Sequence, residues 1–342
     1  MPSPISELLP LARLKPLFRD KLGVHHVDSI EKTATGQSNP TFVLGTDKGR
    51  FVLRRKPPGN LLKSAHAVER EYRVMKALDG HFPVPRMHFL CEDPDVIGAA
   101  FFVMDYVDGQ SFEDPRALEL TPGARAQVYD AMNAGLARLH GLDVGALGLA
   151  DYGKPGNYFH RQVSRWSAQY AASKTGPVPE MDALIAWLDE AMPEDDGVVA
   201  LAHGDWRIDN MLFERKSNTL KAVLDWELST LGHPLADLGA QLMQWAMPVG
   251  RDGRGLAGVD RAALGIPEDA AYVAAYEART GRSVPDMTFY VAFAFFRMAA
   301  ILQGVKKRGL DGNASDPERA SVLGTYVPLL ARSALDRINA AG

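Results

Sequence analysis

The chain contains 342 residues, which exceeds what one hydrophobic core usually supports and predicts two domains or one large two-lobed domain. Its 38 Lys and Arg residues against 42 Asp and Glu residues give a formal net charge of −4, so no basic excess favours nucleic acid or an anionic membrane surface as a partner. The single cysteine, Cys91, excludes an intrachain disulfide, and Met1 to Pro10 lack the features of a secretory signal. We therefore expect a cytoplasmic protein.

Strand signals dominate the first third of the chain. Within residues 28–56, the apolar runs Phe42–Leu44 and Phe51–Leu53 predict strands joined by the turn-like segment Thr46–Gly49. A helix is predicted at about Ser64–Leu78, with Ser64 as its N-cap. The apolar stripe of that helix consists of Val68, Tyr72, Met75 and Leu78.

The pattern becomes helical after one further strand, predicted at Phe101–Met104. Helices are then predicted at about residues 122–140, 158–172 and 180–192. A β-rich first part followed by a mostly helical remainder predicts an α+β fold with two unequal lobes. We place the small N-terminal lobe at residues 1–106 and the larger, mainly helical lobe at residues 107–342.

The most apolar stretch of the sequence runs from Phe289 to Val305. It contains Arg297 and Gln303 and falls short of a typical membrane span. We therefore expect it to form a buried helix of the larger lobe, and we expect no membrane partner.

The segment His203–Asn210 lies between an apolar run and a predicted hairpin. The hairpin strands are Met211–Phe213 and Leu220–Leu224, separated by polar residues. With Ser217-Asn218 at the centre of the turn, Asn210 and Asp225 are equally distant from that centre. They are therefore predicted to face each other at the open mouth of the hairpin, with Asp205 in the loop that leads to it.

These three side chains suit phosphoryl transfer. Magnesium prefers oxygen ligands, which Asn210 and Asp225 supply, while Asp205 is left to orient an attacking hydroxyl and accept its proton. Asp205 precedes Asn210 by five positions, which is the spacing of the protein-kinase catalytic loop. Three positions depart from that pattern: Gly204 replaces the Arg after His, and Trp226-Glu227 replaces Phe-Gly.

The first lobe offers a second element of such a site. Glu71 lies within the apolar stripe of its helix, and a carboxylate on a buried face requires a partner. Arg54 and Lys56 lie two residues apart on the adjacent strand, so both point to the same face. Both are candidates for the partner of Glu71 and for contact with nucleotide phosphates. The Gly36–Asn39 segment is a weaker candidate for covering the phosphates, through its backbone and the Ser38 hydroxyl.

Together these residues resemble the aminoglycoside phosphotransferase and choline kinase superfamily, whose members have a protein-kinase-like fold. The chain looks most like the branch related to the kinase-like domain fused to some acyl-CoA dehydrogenases. The similarity covers roughly residues 25–315. The residues that carry it are Gly36–Thr41, Phe51–Gly59, Ala65–Glu71, His203–Asn210, Leu224–Glu227 and Gly232–Leu238.

The resemblance implies ATP as the phosphate donor and Mg²⁺ as the metal. It implies that Asp205 is the catalytic base, that Asn210 and Asp225 bind the metal, and that Glu71 pairs with the phosphate-contacting cation. Arg54 stands where the family usually has Lys. The other cofactor-binding residues that we predict are Gln37, Ser38 and Asn39 around the phosphates, Lys56 as the alternative cation, and Met104, Asp105 and Val107 of the hinge that meets adenine.

Two further roles belong to the catalytic loop. Asp237 is expected to be a structural partner of the loop, as the resemblance implies. Arg207, two residues after Asp205, is expected to approach the γ-phosphate, with an exposed surface arginine as the competing interpretation.

The phosphate acceptor is predicted to be a small molecule with a hydroxyl group. Arg161 and Arg165 share a helix face that suits an anionic substrate, although surface arginines are the commoner case. No dense acidic patch favours a polycationic aminoglycoside, and the related branch favours a hydroxy acid or a hydroxyacyl thioester. A protein kinase, a nucleotide-binding pseudokinase and a metal-dependent phosphoesterase are the alternatives.

Overall fold

In the computed structural model, the residues described are 8–33, 39–57, 67–154, 156–250, 254–313 and 316–341. Their strands are β1 (Val27–Lys32), β2 (Thr41–Thr46), β3 (Gly49–Arg55), β4 (Met87–Cys91), β5 (Phe101–Asp105), β6 (Ala200–Ala202), β7 (Met211–Phe213), β8 (Leu220–Val223) and β9 (Thr230–Gly232). Their helices are α1 (Leu11–Leu22), α2 (Val68–Leu78), α3 (Pro94–Ile97), α4 (Pro122–His140), α5 (Tyr158–Ser173), α6 (Pro179–Glu190), α7 (Leu235–Ala246), α8 (Arg261–Leu264), α9 (Asp269–Thr280), α10 (Thr288–Leu310), α11 (Pro317–Gly324) and α12 (Tyr326–Ala341).

The chain folds into two compact units. The first comprises Met1–Phe112, Val144–Ala150 and Ile208–Ser229, and the second comprises Glu113–Asp143, Asp151–Arg207 and Thr230–Gly342. Strands dominate the first unit and helices dominate the second, so the predicted α+β class is confirmed. The predicted lobe boundary after residue 106 stays a prediction.

The first unit is built around a five-stranded antiparallel sheet in the order β1-β2-β3-β5-β4. Phe42 and Leu44 of β2 lie opposite Leu53 and Phe51 of β3. Because side chains alternate along a strand, these four residues share one face, where they are buried together with Phe18 of α1. The strands predicted from these apolar runs are therefore confirmed.

Helix α2 begins at Val68, directly after Ala67. Its predicted N-cap, Ser64, lies outside the described residues. The buried face of the helix consists of Val68, Glu71, Val74, Met75 and Leu78. Tyr72, which was predicted to belong to this face, is half-buried.

The predicted hairpin at β7 and β8 is present, but its predicted register is wrong by one residue. Met211 lies opposite Val223, and Leu212 lies opposite Ala222. The backbone N–H of Leu224 donates to the carbonyl of Asn210 over 2.8 Å. Asn210 therefore faces Leu224 across the mouth of the hairpin rather than Asp225.

The shift is the result of two local features with opposite effects. Phe213 pairs with Leu220, which centres the turn between residues 216 and 217, one residue before the predicted centre. Lys221 is then an additional residue on the second strand, a β-bulge, which compensates for part of that difference. The turn also closes asymmetrically, because the N–H of Glu214 donates to the Thr219 carbonyl and Asn218 adopts a left-handed conformation with φ of 55°. A symmetric turn centred on residues 217 and 218 could not anticipate either feature.

Helix α10 forms the centre of the second unit. It packs against α5, α6, α7, α11 and α12. The helix has 23 residues and is long and apolar enough to cross a membrane, so it is longer than the stretch predicted from sequence. However, 67% of its most apolar window is buried inside the protein. The prediction of a buried helix is confirmed, since Phe289, Phe293 and Phe296 are all buried.

Candidate active site

The guanidinium group of Arg54 lies among three carboxylates of the first unit. Its Nε atom is 3.0 Å from Oε2 of Glu71. Its Nη2 atom donates to Oδ1 of Asp225 over 2.7 Å and to Oε2 of Glu227 over 3.4 Å. The side chains of Arg54 and Glu71 are only 7% and 2% exposed. Buried charges require such pairing, so this group fixes α2 to the centre of the sheet.

The charges of this group shift one another's ionisation. Burial by itself lowers the pKa of Arg54, but the attraction of the three carboxylates outweighs burial, so the pKa is raised. Burial raises the pKa of Glu71 to about 7 against the opposing attraction of Arg54, and the charges of Asp225 and Glu227 act in the same direction as burial. With all three carboxylates ionised, one cation faces three anions, and the surplus negative charge suits a divalent cation.

Lys56 does not take part in this group. It follows the end of β3, and its Nζ atom lies 2.7 Å from Oε1 of Glu69. Of the two cations that the sequence offered as partners of Glu71, Arg54 is therefore the one that pairs with it. Which of the two contacts nucleotide phosphates stays a prediction.

Glu227 is a member of the site that sequence reasoning missed. The fully buried Asn39 donates from Nδ2 to Oε2 of Glu227 over 3.2 Å. The position of Glu227, two residues after Asp225, was a signal in the sequence, because it places a second carboxylate close to the first. Gln37 and Ser38, predicted to act with Asn39, lie outside the described residues.

Asp225 follows β8 and has a left-handed backbone with φ and ψ of 63°. A short 3-10 turn, Trp226–Leu228, begins directly after it. The indole Nε1 of Trp226 donates to the Val223 carbonyl over 2.9 Å, and its ring packs edge-on against Phe82. This fully buried tryptophan anchors the residue beside it, which holds the Asp225 carboxylate at the end of the hairpin.

The donor set of the first unit fits magnesium chemically. Asn210 supplies an amide oxygen, and Asp225 and Glu227 supply carboxylate oxygens, which are the ligand types that Mg²⁺ prefers. Across the part of the chain that the structure describes, no three His, Cys, Asp or Glu residues are grouped closely enough to hold a metal by themselves. Magnesium keeps several waters and completes its coordination with substrate phosphates, so it needs few ligands from the protein.

The residues predicted to meet adenine lie at and just beyond the end of β5. Met104 pairs with Val52 in the sheet, and Val107 follows in a half-buried connector. The carboxylate of Asp105 lies 2.6 Å from Nε2 of His88, and its N–H donates to the Arg86 carbonyl over 2.9 Å. These contacts fix the backbone of this segment, and its contact with adenine stays a prediction.

In the second unit, Asp237 holds the start of the predicted catalytic loop. Strands β6 and β9 pair in antiparallel fashion, and the loop leaves β6 at His203. The backbone N–H groups of His203 and Gly204 donate to the two carboxylate oxygens of Asp237 over 2.7 and 2.8 Å. Gly204 has a φ of 82°, which glycine adopts without a Cβ clash. A glycine here, in place of the arginine of protein kinases, therefore has a structural reason.

Two residues that the sequence did not single out support Asp237 from behind. Nε2 of His140 lies 3.2 Å from Oδ2 of Asp237, and Nδ1 of His140 lies 2.7 Å from the Tyr276 hydroxyl. Burial by itself raises the pKa of Asp237, but the hydrogen bond with His140 and the backbone N–H of Gly204 contribute to lowering it below its usual range. Asp237 thus remains an acceptor inside the protein.

Asp205 and Arg207 form an ion pair within the loop. Nε of Arg207 lies 3.0 Å from Oδ1 of Asp205, and the two side chains are 29% and 27% exposed. The backbone N–H of Asp205 donates to Nδ1 of His203 over 3.2 Å. Arg207 is therefore not an isolated surface arginine, and its approach to a γ-phosphate stays a prediction.

The loop is also held through the buried Trp206. With the Gln241 amide oriented so that both of its ends are satisfied, its nitrogen donates to the Trp206 carbonyl over 2.8 Å. The Gln241 oxygen then accepts from Nε1 of Trp245 over 2.5 Å. Sequence reasoning missed Gln241, although it lies one helical turn after Asp237 on α7 and so shares its face.

Comparison with known sequences identifies the family. The profile of the phosphotransferase enzyme family matches residues 29–287. The chain belongs to this family. The resemblance inferred from the sequence is thereby confirmed.

Relatives of the chain include proteins named as acyl-CoA dehydrogenases. Acyl-CoA dehydrogenase family member 10 of Mus musculus is 42% identical over 312 residues, which cover 90% of this chain and 29% of the relative. Acyl-CoA dehydrogenase family member 11 of Gallus gallus is 43% identical over 292 residues, which cover 84% of this chain and 38% of the relative. The chain thus spans less than half the length of these curated relatives.

Solved structures agree on the fold of the chain. A Ralstonia eutropha protein assigned as an aminoglycoside phosphotransferase is 44% identical, with a TM-score of 0.84 over 95% of this chain and 97% of that one. The GDP complex of aminoglycoside 2′-phosphotransferase-IIIa is 16% identical, with a TM-score of 0.62 over 95% and 98% of the two chains. The protein-kinase-like fold predicted from sequence is confirmed.

Proposed function

We propose that the protein transfers the γ-phosphate of ATP, with Mg²⁺, to a hydroxyl group of a small molecule. The observation that carries this proposal is the group of three carboxylates around Arg54 in a member of the phosphotransferase enzyme family. A nucleotide kinase needs both a cation for phosphates and oxygen ligands for a metal, and Arg54 with its three neighbouring carboxylates can supply both.

The chain's own residues divide the work in this proposal. Arg54, oriented by Glu71, contacts the nucleotide phosphates, with Lys56 as the alternative cation. Glu227 accepts a hydrogen bond from Arg54 and another from Asn39, and so helps to fix the position of the Arg54 side chain. The hinge residues Met104, Asp105 and Val107, and the predicted phosphate-covering residues Gln37 and Ser38, complete the nucleotide contacts.

Asn210 and Asp225, with Glu227 beside them, are the proposed ligands of magnesium. When bound, the metal neutralises charge on the transferred phosphoryl group. Asp205 orients the acceptor hydroxyl and accepts its proton, and Arg207 neutralises charge that develops as the phosphoryl group moves. Asp237 keeps the loop backbone in position through the N–H groups of His203 and Gly204, so that Asp205 does not need to be ordered during turnover.

For the acceptor we propose a hydroxy acid or a hydroxyacyl thioester rather than an aminoglycoside. The curated relatives are named as acyl-CoA dehydrogenases, which favours an acyl compound. The formal net charge of −4 is small for a protein of this length and does not indicate a surface that attracts a polycation. We further propose a cytoplasmic location and no nucleic-acid partner, from the charge balance and the single cysteine.

A screen of hydroxylated metabolites for ATP-dependent phosphorylation, followed by mass spectrometry, tests this proposal. We expect a product heavier by one phosphoryl group that forms with ATP and Mg²⁺ and disappears with chelator. Phosphorylation of protein substrates alone would instead support a protein kinase. Nucleotide binding without transfer to any acceptor, in a chain that retains Asp205, would support the pseudokinase.

A further inference from the structure

Two helices of the second unit, α5 and α10, carry cations and no acidic residue. The 16 residues of α5 include Arg161 and Arg165 but neither Asp nor Glu. The 23 residues of α10 include Arg297 within an otherwise apolar stretch, and again neither Asp nor Glu. The two helices pack against each other, so positive charge on one is not balanced by the other.

The packing brings Arg165 and Arg297 to nearly the same level along the helix pair. At one end of the helix pair, the Phe159 and Phe289 rings are 5.5 Å apart, and at the other end Nε2 of Gln303 donates to the Ser173 carbonyl over 2.7 Å. Both contacts join residues whose numbers differ by 130, so the helices run parallel and in step. Arg297 therefore lies at the level of residue 167, about 3 Å along the axis from Arg165.

Arg297 lacks the compensation that arginines inside proteins normally have. Its side chain is half-buried. Within the residues that the structure describes, its guanidinium makes no ion pair and no hydrogen bond. Charged side chains are rarely placed inside a protein without a partner, because desolvation is unfavourable. A half-buried guanidinium in this position suits an anionic ligand.

The hydroxyl of Tyr158, at the start of α5, locates this charge next to the catalytic loop. Burial raises the pKa of Tyr158, whereas the positive charges of Arg297, Arg161 and Arg165 act on the same hydroxyl and lower it. Asp237 acts on it as well, with the opposite sign. The three guanidinium groups are therefore within electrostatic reach of one hydroxyl, as is the Asp237 carboxylate that holds His203 and Gly204.

The position of Tyr158 is itself fixed by packing. A Cβ atom on Gly232 would lie 2.6 Å from Cε2 of the Tyr158 ring, so only glycine allows this close approach. The Phe159 ring lies edge-on at 5.2 Å. A donor that is held this firmly is suited to a specific ligand, because little side-chain entropy is lost when the ligand binds.

We propose that Arg161, Arg165, Arg297 and the Tyr158 hydroxyl form a binding site for an oxyanion of the acceptor, either a carboxylate or a phosphate group. Planar guanidinium groups match such oxyanions through paired N–H donors. Arg161 already donates to the Lys154 carbonyl over 2.7 Å, which fixes its direction. The site rests on the proposed function, since it binds the non-reacting end of the molecule whose hydroxyl is phosphorylated.

The test compares hydroxyl compounds of matched chain length that differ in one terminal group: a carboxylate, a phosphate monoester or a neutral alcohol. The values of kcat/KM are measured for the wild-type protein and for Arg297→Gln, Arg165→Gln and Arg308→Gln. Arg308 is the matched control, because it is an exposed arginine in the last turn of α10. The melting temperature of each variant shows whether it is folded. If Arg297→Gln does not fold, Arg165→Gln still tests the site, because Arg165 is exposed.

We expect Arg297→Gln and Arg165→Gln to lower kcat/KM for the charged compounds by about 10- to 100-fold and to leave the neutral compound unaffected. Arg308→Gln should change neither. The charged form that the wild-type protein prefers identifies the oxyanion as carboxylate or phosphate. Equal losses for charged and neutral compounds, or no loss, would overturn the site while leaving the proposed function intact.

Calorimetric titration with the same compounds in the absence of ATP separates the two ideas. Charge-dependent binding that is lost in Arg297→Gln, without any phosphoryl transfer, would retain the oxyanion site and reject the proposed function. Transfer to the neutral alcohol as efficiently as to the charged forms would do the reverse. Absence of binding for every charged compound would overturn the site directly.

Discussion

Nη2 of Arg54 donates a hydrogen bond to Oδ1 of Asp225 over 2.7 Å. In the proposed function, Arg54 contacts nucleotide phosphates and Asp225 binds magnesium. The ion pair therefore connects the phosphate site to the metal site before either ligand binds. Arg54 thus keeps the Asp225 carboxylate paired in the free protein. In the proposed function, Mg²⁺ then replaces Arg54 as the cation that Asp225 binds.

Removal of Arg54 should destabilise the protein through Glu71. Arg54→Met leaves a buried carboxylate without its cation, and we expect the free energy of unfolding to fall by about 3–5 kcal/mol. The double variant Arg54→Met/Glu71→Gln should recover a large part of that loss. Urea denaturation measures both values, and an unrecovered double variant would show that Glu71 is not the cause.

A matched change at Lys56 distinguishes the two candidate cations. Lys56 pairs with the partly exposed Glu69, so Lys56→Met should lower the free energy of unfolding by less than about 1 kcal/mol. If Arg54 contacts the phosphates, Arg54→Met should raise KM for ATP and Lys56→Met should not. The opposite pattern of KM values would assign the phosphates to Lys56.

Stability should depend on pH through Glu71. Burial raises its pKa in the folded protein to about 7, from the ordinary 4.5 of the unfolded chain. Between pH 4.5 and about 7 the folded state binds the proton more tightly than the unfolded chain does. The free energy of unfolding therefore falls as the pH rises through this range. In the absence of Mg²⁺ and nucleotide, the difference in unfolding free energy between wild type and Glu71→Gln should fall with pH, by at most about 1.4 kcal/mol per unit. A constant difference from pH 4.5 to 7 would contradict the raised pKa.

Asp205→Asn should lower kcat by about 10²- to 10⁴-fold and leave ATP binding intact, because the amide cannot accept the proton of the acceptor hydroxyl. The exposed Asp189→Asn serves as the control for loss of one negative charge. Rates from a phosphotransfer assay and affinities from calorimetry are to be compared. Unchanged turnover in Asp205→Asn would rule out its assignment as the base.

Asp225→Asn should weaken the binding of Mg²⁺–ATP by about 10- to 100-fold, while binding of ATP without metal changes little. Calorimetric titrations with and without Mg²⁺ measure the two affinities. Equal affinities of the variant and the wild type for Mg²⁺–ATP would remove Asp225 from the ligand set.

Asp237→Asn should lower both stability and kcat. The amide replaces one of the two acceptors of the His203 and Gly204 N–H groups by a donor, and we expect about 2–4 kcal/mol of destabilisation. The KM for ATP should remain near its wild-type value, since Asp237 belongs to the loop and not to the nucleotide contacts. A raised KM with an unchanged kcat would contradict its role in positioning Asp205.

Local patterns were enough to predict much of this protein. The apolar runs predicted β2 and β3, and the position of Glu71 on an apolar helix face predicted the ion pair with the adjacent strand. Both inferences depend on alternation within one element, which the sequence displays directly. The predicted pairing of Asn210 with Asp225 was wrong because the turn is centred one residue earlier than residues 217 and 218, and the bulge at Lys221 compensates only in part. Residue order reveals neither feature.

Other parts of the site depend on contacts between residues that lie far apart in sequence. Gln241 supports the Trp206 carbonyl and His140 supports Asp237, and no periodicity links either pair. Glu227 differs, because it lies two residues after Asp225 and was visible as a second carboxylate. It was treated as a departure from the protein-kinase pattern rather than as a contribution to the charge around Arg54.

The left-handed backbone of Asp225 restricts which residues this position can hold. A φ of 63° is accessible to Asp, Asn and Gly, whereas a β-branched or other bulky side chain would introduce strain of about 1–3 kcal/mol. Random mutagenesis at this codon will therefore report conformation and chemistry together. Asn and Gly are the replacements that remove the carboxylate without disturbing the chain path, and an alanine variant would exaggerate its chemical importance.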